Sequence, residues 1–220
     1  MPLKKQTGNM YSFVTHTWNP IKGKCSHDCV YCYMKHFPLG ELRLDEKELR
    51  TKLGSGNFIF IGSSTDMFAE DVPQEWLDRV FDICREYPNN RYLIQSKNPD
   101  RMCFPGNNVI FGTTIETNRP YQISKAPSVE ERAEWIGKYS RIEINTMVTI
   151  EPILDFDLEP LIALVRECQP VWVNIGADSK GHGLPEPSGE KVKLLAHELE
   201  KFTHVKRKAN LARLYQEERC

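Results

Sequence analysis

Short apolar runs alternate with longer amphipathic stretches along most of the chain. Six runs rich in β-branched or aromatic residues predict strands, at 11–18, 58–62, 92–95, 109–113, 142–150 and 171–175. Several of these runs are apolar at nearly every position, such as Phe-Ile-Phe-Ile at 58–61. Runs of this kind are typical of parallel strands that are buried on both faces.

Helices are predicted between the strands, at 44–53, 73–86, 128–139, 158–168 and 190–202, with one short turn at 98–102. The second helix begins with proline and the third with the capping-box sequence Ser-Val-Glu-Glu. Alternating strands and helices predict right-handed βαβ units and one parallel sheet.

The number of βα units indicates which α/β fold to expect. A complete eight-unit barrel typically takes about 250 residues, whereas this chain has 220. We therefore predict an α/β fold, a partial (βα)6 TIM-like barrel of parallel strands forming a single domain over 1–220. A doubly wound sheet is the alternative. Both folds place function at the carboxyl ends of the strands.

Composition indicates a folded protein, with 40% hydrophobic and 27% charged residues. Because the sequence has neither a membrane-span-length apolar run nor a signal-peptide pattern, we expect a cytoplasmic protein without membrane contact. The formal charge of −1 gives no overall signature of nucleic-acid binding. A basic tail at about 203–220 is the exception, and a solvated basic face is its simplest interpretation. The basic residues from position 201 onwards include Lys201, His204, Lys206, Arg207, Lys208 and Arg213.

Three cysteines stand in the pattern C-x3-C-x2-C, at Cys25, Cys29 and Cys32, within a loop that we delimit as 19–33. Three closely spaced thiolates can each bind one iron of a cubane cluster, which leaves the fourth iron without a protein ligand. S-adenosylmethionine (SAM) can chelate that iron through its amino and carboxylate groups. An electron from the cluster then cleaves the sulfonium and releases a 5′-deoxyadenosyl radical.

Two other interpretations of the three cysteines stay open. Zinc could bind them together with His16, His27 or His36, or the thiols could cluster by chance. The corresponding functions are a zinc-stapled nucleic-acid-binding module that uses the basic tail, and a non-catalytic iron–sulfur partner protein. The other four cysteines show no motif spacing, and Cys84 and Cys168 fall on apolar helix faces, as core residues do.

The cysteine motif followed by Tyr33 resembles the radical SAM superfamily. More narrowly, the chain resembles a family of small radical SAM proteins of unknown function that are common in phage and prophage genomes, with kinship to spore photoproduct lyase. The motifs that carry this resemblance lie where predicted strands end, at residues 17–20 (Thr-Trp-Asn-Pro), 60–73, 93–99, 108–118, 149–152 and 172–177.

The resemblance implies a [4Fe–4S] cluster and SAM as cofactors, and an electron donor of the flavodoxin or ferredoxin type. It implies that backbone carbonyls at the end of the second strand receive the SAM amino group. The expected cofactor contacts are Tyr33, Gly62, Ser63, Ser64, Thr65, Ser96, Lys97, Thr114, Glu116, Glu151 and Gly176.

Individual roles follow from residue chemistry. The Ser96 hydroxyl and the Glu116 carboxylate suit the ribose of SAM, and Lys97 suits its carboxylate. The small residues that begin at Gly176 would leave space for the adenine ring of SAM. Each has a structural alternative: a solvated lysine at Lys97, and at Glu151 a salt bridge with Lys97 or Arg119.

The substrate is the least defined part of the prediction. We treat Glu151, Asp178 and the terminal thiol of Cys220 as candidates for substrate chemistry. An open partial barrel, the basic tail and the kinship to spore photoproduct lyase together favour a nucleic acid or nucleotide substrate, with a polypeptide as the second choice.

Overall fold

The computed structural model describes residues 2–8, 10–104 and 106–216. They form two compact units. The first takes the described residues up to Phe111 together with Ser124–Ala126, and the second takes Gly112–Ile123 and the described residues from Pro127 onwards. The division between the units falls within one strand. A single domain over 1–220 stays a prediction.

The first unit carries the amino-terminal strands. Its elements are β1 (Lys4–Lys5), β2 (His16–Trp18), β3 (Ile21–Lys22), β4 (Arg43–Leu44), β5 (Phe58–Ile61), helix α1 (Gln74–Glu86), β6 (Arg91–Gln95) and the start of β7 (Val109–Thr114). The strand order is β1-β2-β5-β6-β7, and β3 pairs separately with β4. Strands β2, β5 and β6 are parallel, whereas β1 runs antiparallel to β2.

The second unit continues the alternation. Its elements are the end of β7, α2 (Val129–Arg141), β8 (Asn145–Ile150), α3 (Leu158–Cys168), β9 (Trp172–Ile175), α4 (Gly189–Glu200), β10 (His204–Arg207) and α5 (Ala212–Gln216). The strand order is β7-β8-β9-β10, with β8, β9 and β10 parallel. The mostly parallel sheet with helices confirms the predicted α/β class.

Strand burial follows the apolar runs of the sequence. All six residues of β7 are buried, as are all four of β9. Ile59 and Leu93 are fully buried in the first unit, and Val148 and Val173 in the second. Cys84 and Cys168 are core residues, as predicted. No helix of the described chain combines the length and the apolar composition that a membrane span needs.

The predicted helix at 44–53 is wrong. Leu44 lies in β4, and only Glu48–Arg50 forms a short 3-10 helix. The reason is local: the Asp45 carboxylate accepts hydrogen bonds from the backbone N–H groups of Lys47 and Glu48, at 2.9 and 3.3 Å, and so stabilises a turn. The predicted turn at 98–102 is confirmed as a 3-10 helix at Pro99–Arg101.

Two predicted strands begin later than expected. The first is confined to His16–Trp18, and the fifth begins at Asn145 because Glu143 adopts a positive φ of 64°. The basic tail was expected to be a solvated face, yet it contributes the parallel strand β10 and helix α5. The sequence did not predict this strand because it has no apolar run: three of its four side chains are exposed.

Gly137 brings α2 close to α3. A Cβ at this position would lie 2.4 Å from the backbone oxygen of Glu167. Helix propensity alone predicts that Gly137→Ala stabilises the protein by about 1 kcal/mol. We expect the opposite, a loss of roughly 1–3 kcal/mol in the free energy of unfolding, because the added methyl group overpacks the helix contact.

Chemical denaturation of the two proteins measures this difference. Glu134→Ala on the exposed side of α2 is the control, and it should change stability by less than about 0.5 kcal/mol. A stabilised Gly137→Ala variant would show that the two helices separate easily.

Candidate functional site

The three cysteines lie on one tightly turned loop of the first unit. Backbone hydrogen bonds run from Asp28 N to the Cys25 oxygen at 3.3 Å and from Cys32 N to the Cys29 oxygen at 3.2 Å. Cys29 is buried, Cys25 and Cys32 are half-buried, and all three are free thiols. The sequence between β3 and the 3-10 helix Tyr33–His36 thus presents three potential iron ligands from a short segment.

The chemistry of the donor set is that of a cluster site. Among the described residues, the structure shows no group of three or more His, Cys, Asp or Glu side chains arranged to hold a metal ion. Ligands of one ion must converge on a point, whereas the three thiolates of a cubane each bind a different iron. Three free thiols on one loop are therefore a donor set that fits a [4Fe–4S] cluster.

Asp66 joins the cysteine loop to the ends of β5 and β6. Its Oδ2 accepts hydrogen bonds from His27 Nε2 at 2.9 Å, from Ser96 Oγ at 3.0 Å and from Lys97 N at 2.8 Å. Its Oδ1 accepts one from Phe68 N at 3.0 Å. The Asp66 carboxylate, in the motif at 60–73, therefore links that motif to the cysteine motif and to the motif at 93–99.

The ionised state of Asp66 is favoured by these donors. Burial alone would raise its pKa, but the hydrogen bond and charge of His27, with the donors from Lys97 and Ser96, hold the pKa below its usual range. The same carboxylate affects Cys25. Burial, together with the negative charge of Asp66, raises the pKa of the Cys25 thiol to about 11. A metal that binds this thiol would therefore have to displace its proton.

Lys97 faces the cysteines rather than solvent. Its Nζ lies 3.3 Å from Cys29 Sγ and also donates to the Tyr31 hydroxyl, and it sits 4.3 Å from the centroid of the Tyr31 ring. The solvated-lysine alternative is therefore wrong. Binding of the SAM carboxylate by Lys97 stays a prediction, whereas its contact with Cys29 was not foreseen.

The backbone conformation at position 62 requires glycine. Its φ is +75°, and a Cβ there would lie 2.5 Å from Met67 Cγ. The space beside Gly62 is thus occupied by Met67, so a side chain at this position would clash as well as strain the backbone.

The loop that follows Gly62 is anchored to the other motifs. Asn19 Oδ1 accepts hydrogen bonds from Ser63 Oγ at 3.1 Å and from Ser64 N at 3.0 Å. The Tyr33 hydroxyl donates to the Ser63 oxygen at 2.8 Å, and Thr65 Oγ1 donates to the Gly23 oxygen at 3.0 Å. These bonds place the predicted SAM-binding carbonyls beside the cysteine loop.

Two histidines that flank the cysteines have scaffold contacts. His27 is buried against Asp66, and its backbone oxygen accepts a hydrogen bond from Lys125 N at 2.7 Å. His16 Nδ1 lies 2.9 Å from Thr15 Oγ1. The buried role of His27 matches the expectation that a single histidine is a hydrogen-bonded scaffold residue.

In the second unit, Glu116 is already paired. Its Oε2 lies 2.9 Å from Arg132 Nη1, and the two side chains are 0% and 4% exposed. The same guanidinium nitrogen donates to the Thr114 oxygen at 2.6 Å. A carboxylate so deeply buried serves first as the partner of Arg132. Ribose binding by Glu116 stays a prediction.

Glu151 lies over Gly176. Its Oε2 is 2.7 Å from Lys208 Nζ, and a Cβ on Gly176 would lie 2.7 Å from its Cδ. The Glu151 side chain thus fills the space that we expected for adenine. Sequence reasoning missed Lys208 as a partner because it comes from the tail, 57 residues further on. Arg119, one of the two partners considered, instead pairs with Asp157 at 2.7 Å and also binds Asp155.

Asp178 stabilises its own loop. Its Oδ1 accepts from Lys180 N at 3.0 Å and lies 2.7 Å from His182 Nδ1. Despite burial, which would raise it, the hydrogen bonds of Lys180 and His182 hold the pKa of Asp178 below its usual range. A role in substrate chemistry stays a prediction, and Cys220 lies outside the described residues.

The cations of the tail are engaged with neighbours. Arg207 pairs with Glu200 at 2.7 Å, Lys208 with Glu151, and Arg213 with Glu186. Lys206 lies 4.5 Å from the Trp172 ring centroid, and burial lowers its pKa. The tail therefore offers less free positive charge than its sequence suggests.

The family described as "Protein of unknown function (DUF5131)" matches residues 9–185. No curated protein matches the chain. A mutant of spore photoproduct lyase has a similar structure, with TM-score 0.61 and 12% identity over 91% of this chain and 65% of that chain. A double mutant of the lyase with bound AdoMet and dinucleoside spore photoproduct gives 0.59 and 10%, over 91% and 66% of the two chains.

SuiB of Streptococcus suis, bound to S-adenosylmethionine, gives TM-score 0.58 and 9% identity over 91% of this chain and 52% of that chain. The chain thus spans about two thirds or less of the length of these structures. Identities this low establish the fold alone. Because the lyase and SuiB are radical SAM enzymes, the predicted similarity to the radical SAM partial-barrel fold is confirmed, whereas the link to phage proteins stays a prediction.

The hydrogen bonds of Asp66 predict the behaviour of a substitution. Asp66→Asn should lower the free energy of unfolding of the cluster-free protein by about 2 kcal/mol or more, because an amide nitrogen would face donors that now bind a charged acceptor. Asp71→Asn is the matched control, since Asp71 is exposed and accepts a hydrogen bond from Ser26 Oγ at 2.9 Å. Equal denaturation midpoints for both variants would contradict the central position of Asp66.

Proposed function

Because the chain belongs to the DUF5131 family, whose description assigns no function, we propose its function from its own residues: it is a radical SAM enzyme. In this proposal, Cys25, Cys29 and Cys32 hold a [4Fe–4S] cluster, and SAM binds beside it. The observation that carries the proposal is the single network in which Asp66 and Lys97 tie the cysteine loop to the ends of β5 and β6.

The chemistry of the site divides between the cofactors and the chain. When bound, a [4Fe–4S] cluster with SAM supplies a 5′-deoxyadenosyl radical that abstracts hydrogen from a substrate. The chain supplies three thiolates, which leave one iron without a protein ligand. The carbonyls of Gly62–Thr65 would accept the SAM amino group, in a loop whose position Asn19 and Tyr33 fix.

Lys97 has a distinct electrostatic role. Its ammonium lies against Cys29 Sγ, where it would offset the negative charge of an iron-bound thiolate. Positive charge beside a cluster ligand stabilises the reduced, more negative state of the cluster. The chain thus uses a fixed side chain to favour acceptance of the electron that SAM cleavage needs.

Electron delivery requires a partner, which we propose to be of the flavodoxin or ferredoxin type. Three of the exposed large hydrophobic side chains, Val30, Tyr33 and Phe37, lie on or next to the cysteine loop. Exposed apolar side chains rimmed by charge are common at protein–protein contacts. The nearby charged pair of Lys35 and Asp28 would form part of that rim.

A nucleotide or nucleic acid is the substrate class that we propose. The support is the similarity in fold to a lyase whose structure holds a dinucleoside spore photoproduct. The basic tail adds less than the sequence suggested, because Arg207, Lys208 and Arg213 each have a carboxylate partner. We therefore expect the affinity for nucleic acid to fall less steeply with salt concentration than it would if four cations of the tail each contacted a phosphate.

Metal content tests the assignment directly. Anaerobically reconstituted protein should bind about four iron and four sulfide per chain. Alanine at Cys25, Cys29 or Cys32 should remove most of this iron, whereas Cys103→Ala, an exposed cysteine outside the loop, should keep it. Full iron content in all three loop variants would falsify the assignment, and stoichiometric zinc would favour the zinc-stapled module instead.

Turnover separates an enzyme from a non-catalytic iron–sulfur partner protein. After reduction with dithionite, the loaded protein should release 5′-deoxyadenosine from SAM, slowly even without substrate. Chromatography of the acid-quenched reaction measures this product. A loaded protein that never forms 5′-deoxyadenosine, although SAM binds, would favour the partner-protein interpretation.

Replacement of Lys97 tests its electrostatic role. Lys97→Met should lower the cluster reduction potential by roughly 50–100 mV, since about 60 mV corresponds to a tenfold change for one electron. Lys97→Arg should keep the potential near that of the unaltered protein. Redox titration followed by electron paramagnetic resonance measures the shift.

The control for this experiment is Lys35→Met, which removes an exposed lysine of the same loop that pairs with Asp28 at 2.7 Å. Iron content must be equal in all the proteins compared. An unchanged potential in Lys97→Met would show that its contact with Cys29 does not persist in the loaded protein.

A further inference from the structure

A cavity of about 240 Å³ opens in the first unit. Two antiparallel strand pairs contribute to its wall: Lys4 lies opposite Thr17 in the β1–β2 pair, and Lys22 lies opposite Arg43 in the β3–β4 pair. Because both pairs are part of regular hydrogen-bonded ladders, the positions of these four residues are set by the fold. The cavity is therefore a defined feature of this unit.

The cavity has an excess of positive charge. The charged side chains that line it are Lys4, Lys22, Arg43 and Glu48, three cations against one carboxylate. Lys22 is paired with two carboxylates, with Nζ 2.8 Å from Asp45 and 2.9 Å from Glu48. Lys4 and Arg43 also line the cavity. Within the described part of the chain, neither has a carboxylate at ion-pair distance, and the Arg43 guanidinium donates only to the Glu41 oxygen, at 3.3 Å. Two uncompensated cations thus face one cavity.

The other walls provide both apolar surface and hydrogen-bonding groups. Met34, Pro38 and Leu39 supply the apolar part. Asn19 and Ser64 supply polar atoms, and the bond from Ser64 N to Asn19 Oδ1, at 3.0 Å, fixes these two residues relative to each other. Small-molecule sites commonly combine a mainly apolar lining with a few fixed polar groups.

We propose that this cavity binds a small molecule that carries a phosphate group, with the phosphate held by Lys4 and Arg43 and the less polar part against Met34, Pro38 and Leu39. A phosphate monoester has about two negative charges near neutral pH, which matches two cations, whereas a carboxylate has one. The arginine guanidinium also matches a phosphate through parallel hydrogen bonds. Asn19 and Ser64 line this cavity and also belong to the contacts of the loop proposed to receive SAM, but the ligand proposed here is a separate one, whose binding requires neither cluster nor SAM.

Isothermal titration calorimetry on the full-length, cluster-free protein tests the proposal. The probes are adenosine 5′-monophosphate, adenosine, inorganic phosphate and acetate. We expect saturable binding of adenosine monophosphate and weaker binding of phosphate, with adenosine and acetate at least about tenfold weaker than the monophosphate. Equal binding of adenosine and its monophosphate, or no saturable binding of any phosphate probe, would overturn the proposal.

Three matched variants locate the site. Lys4→Gln and Arg43→Gln should each weaken adenosine monophosphate at least about tenfold. Lys5→Gln is the control, because exposed Lys5 is the next residue of β1 and does not line the cavity. An equal loss in Lys5→Gln would indicate non-specific attraction and contradict the proposal.

A competition experiment separates this site from the proposed cofactor site. SAM carries a carboxylate but no phosphate, so it should leave adenosine monophosphate binding unchanged. Displacement of the monophosphate by equimolar SAM would show that the cavity belongs to the cofactor site, and would overturn the proposal. Iron content and 5′-deoxyadenosine formation report on the radical SAM assignment separately, so the two proposals can fail independently.

Discussion

The candidate site of the first unit depends on one carboxylate whose side chain is only 11% exposed. Asp66 accepts hydrogen bonds from the cysteine loop through His27, from the end of β6 through Ser96 and Lys97, and from its own loop through Phe68. A buried charge is costly unless it is fully paired, so these donors must stay in place for the folded state to persist. Asp66 therefore fixes the cysteine loop at His27, while Thr65 and Tyr33 hold it at two further points through their bonds to Gly23 and Ser63.

The same constraint explains why Lys97 points at Cys29. Its backbone N–H is held by Asp66, which leaves its side chain to reach the buried thiol and the Tyr31 ring. The ammonium of Lys97 thus lies beside Cys29, whereas the negative charge of Asp66 acts on Cys25. A cation beside a ligand thiol suits a site that must hold thiolates in a partly buried environment.

The sequence predicted the strands at 58–62 and 109–113 and the class of the fold because their apolar runs are continuous and buried. The strand at His204–Arg207 was missed, since its side chains are mostly exposed and it lacks an apolar run. A turn forms where a helix was predicted at 44–53, because the Asp45 carboxylate accepts two backbone hydrogen bonds. The periodicity of apolar residues does not reveal such bonds.

The cysteine pattern predicts a shared metal site, and the structure shows the three free thiols on one loop, as their short spacing implies. The partners of Glu116 and Glu151 could not be predicted, because Arg132 and Lys208 reach them through tertiary contacts. Gly62 shows a further limit: its positive φ and its contact with Met67, which both require glycine, are tertiary features that the sequence does not reveal.

The central claim is that three loop thiolates hold a cluster whose fourth iron is left for SAM. Mössbauer spectroscopy of the protein reconstituted with iron-57, with and without SAM, tests it most directly. The account predicts a four-iron spectrum in which the signal of one iron changes when SAM is added while those of the other three stay the same. A spectrum that SAM does not alter, or one without a four-iron cluster, would contradict it.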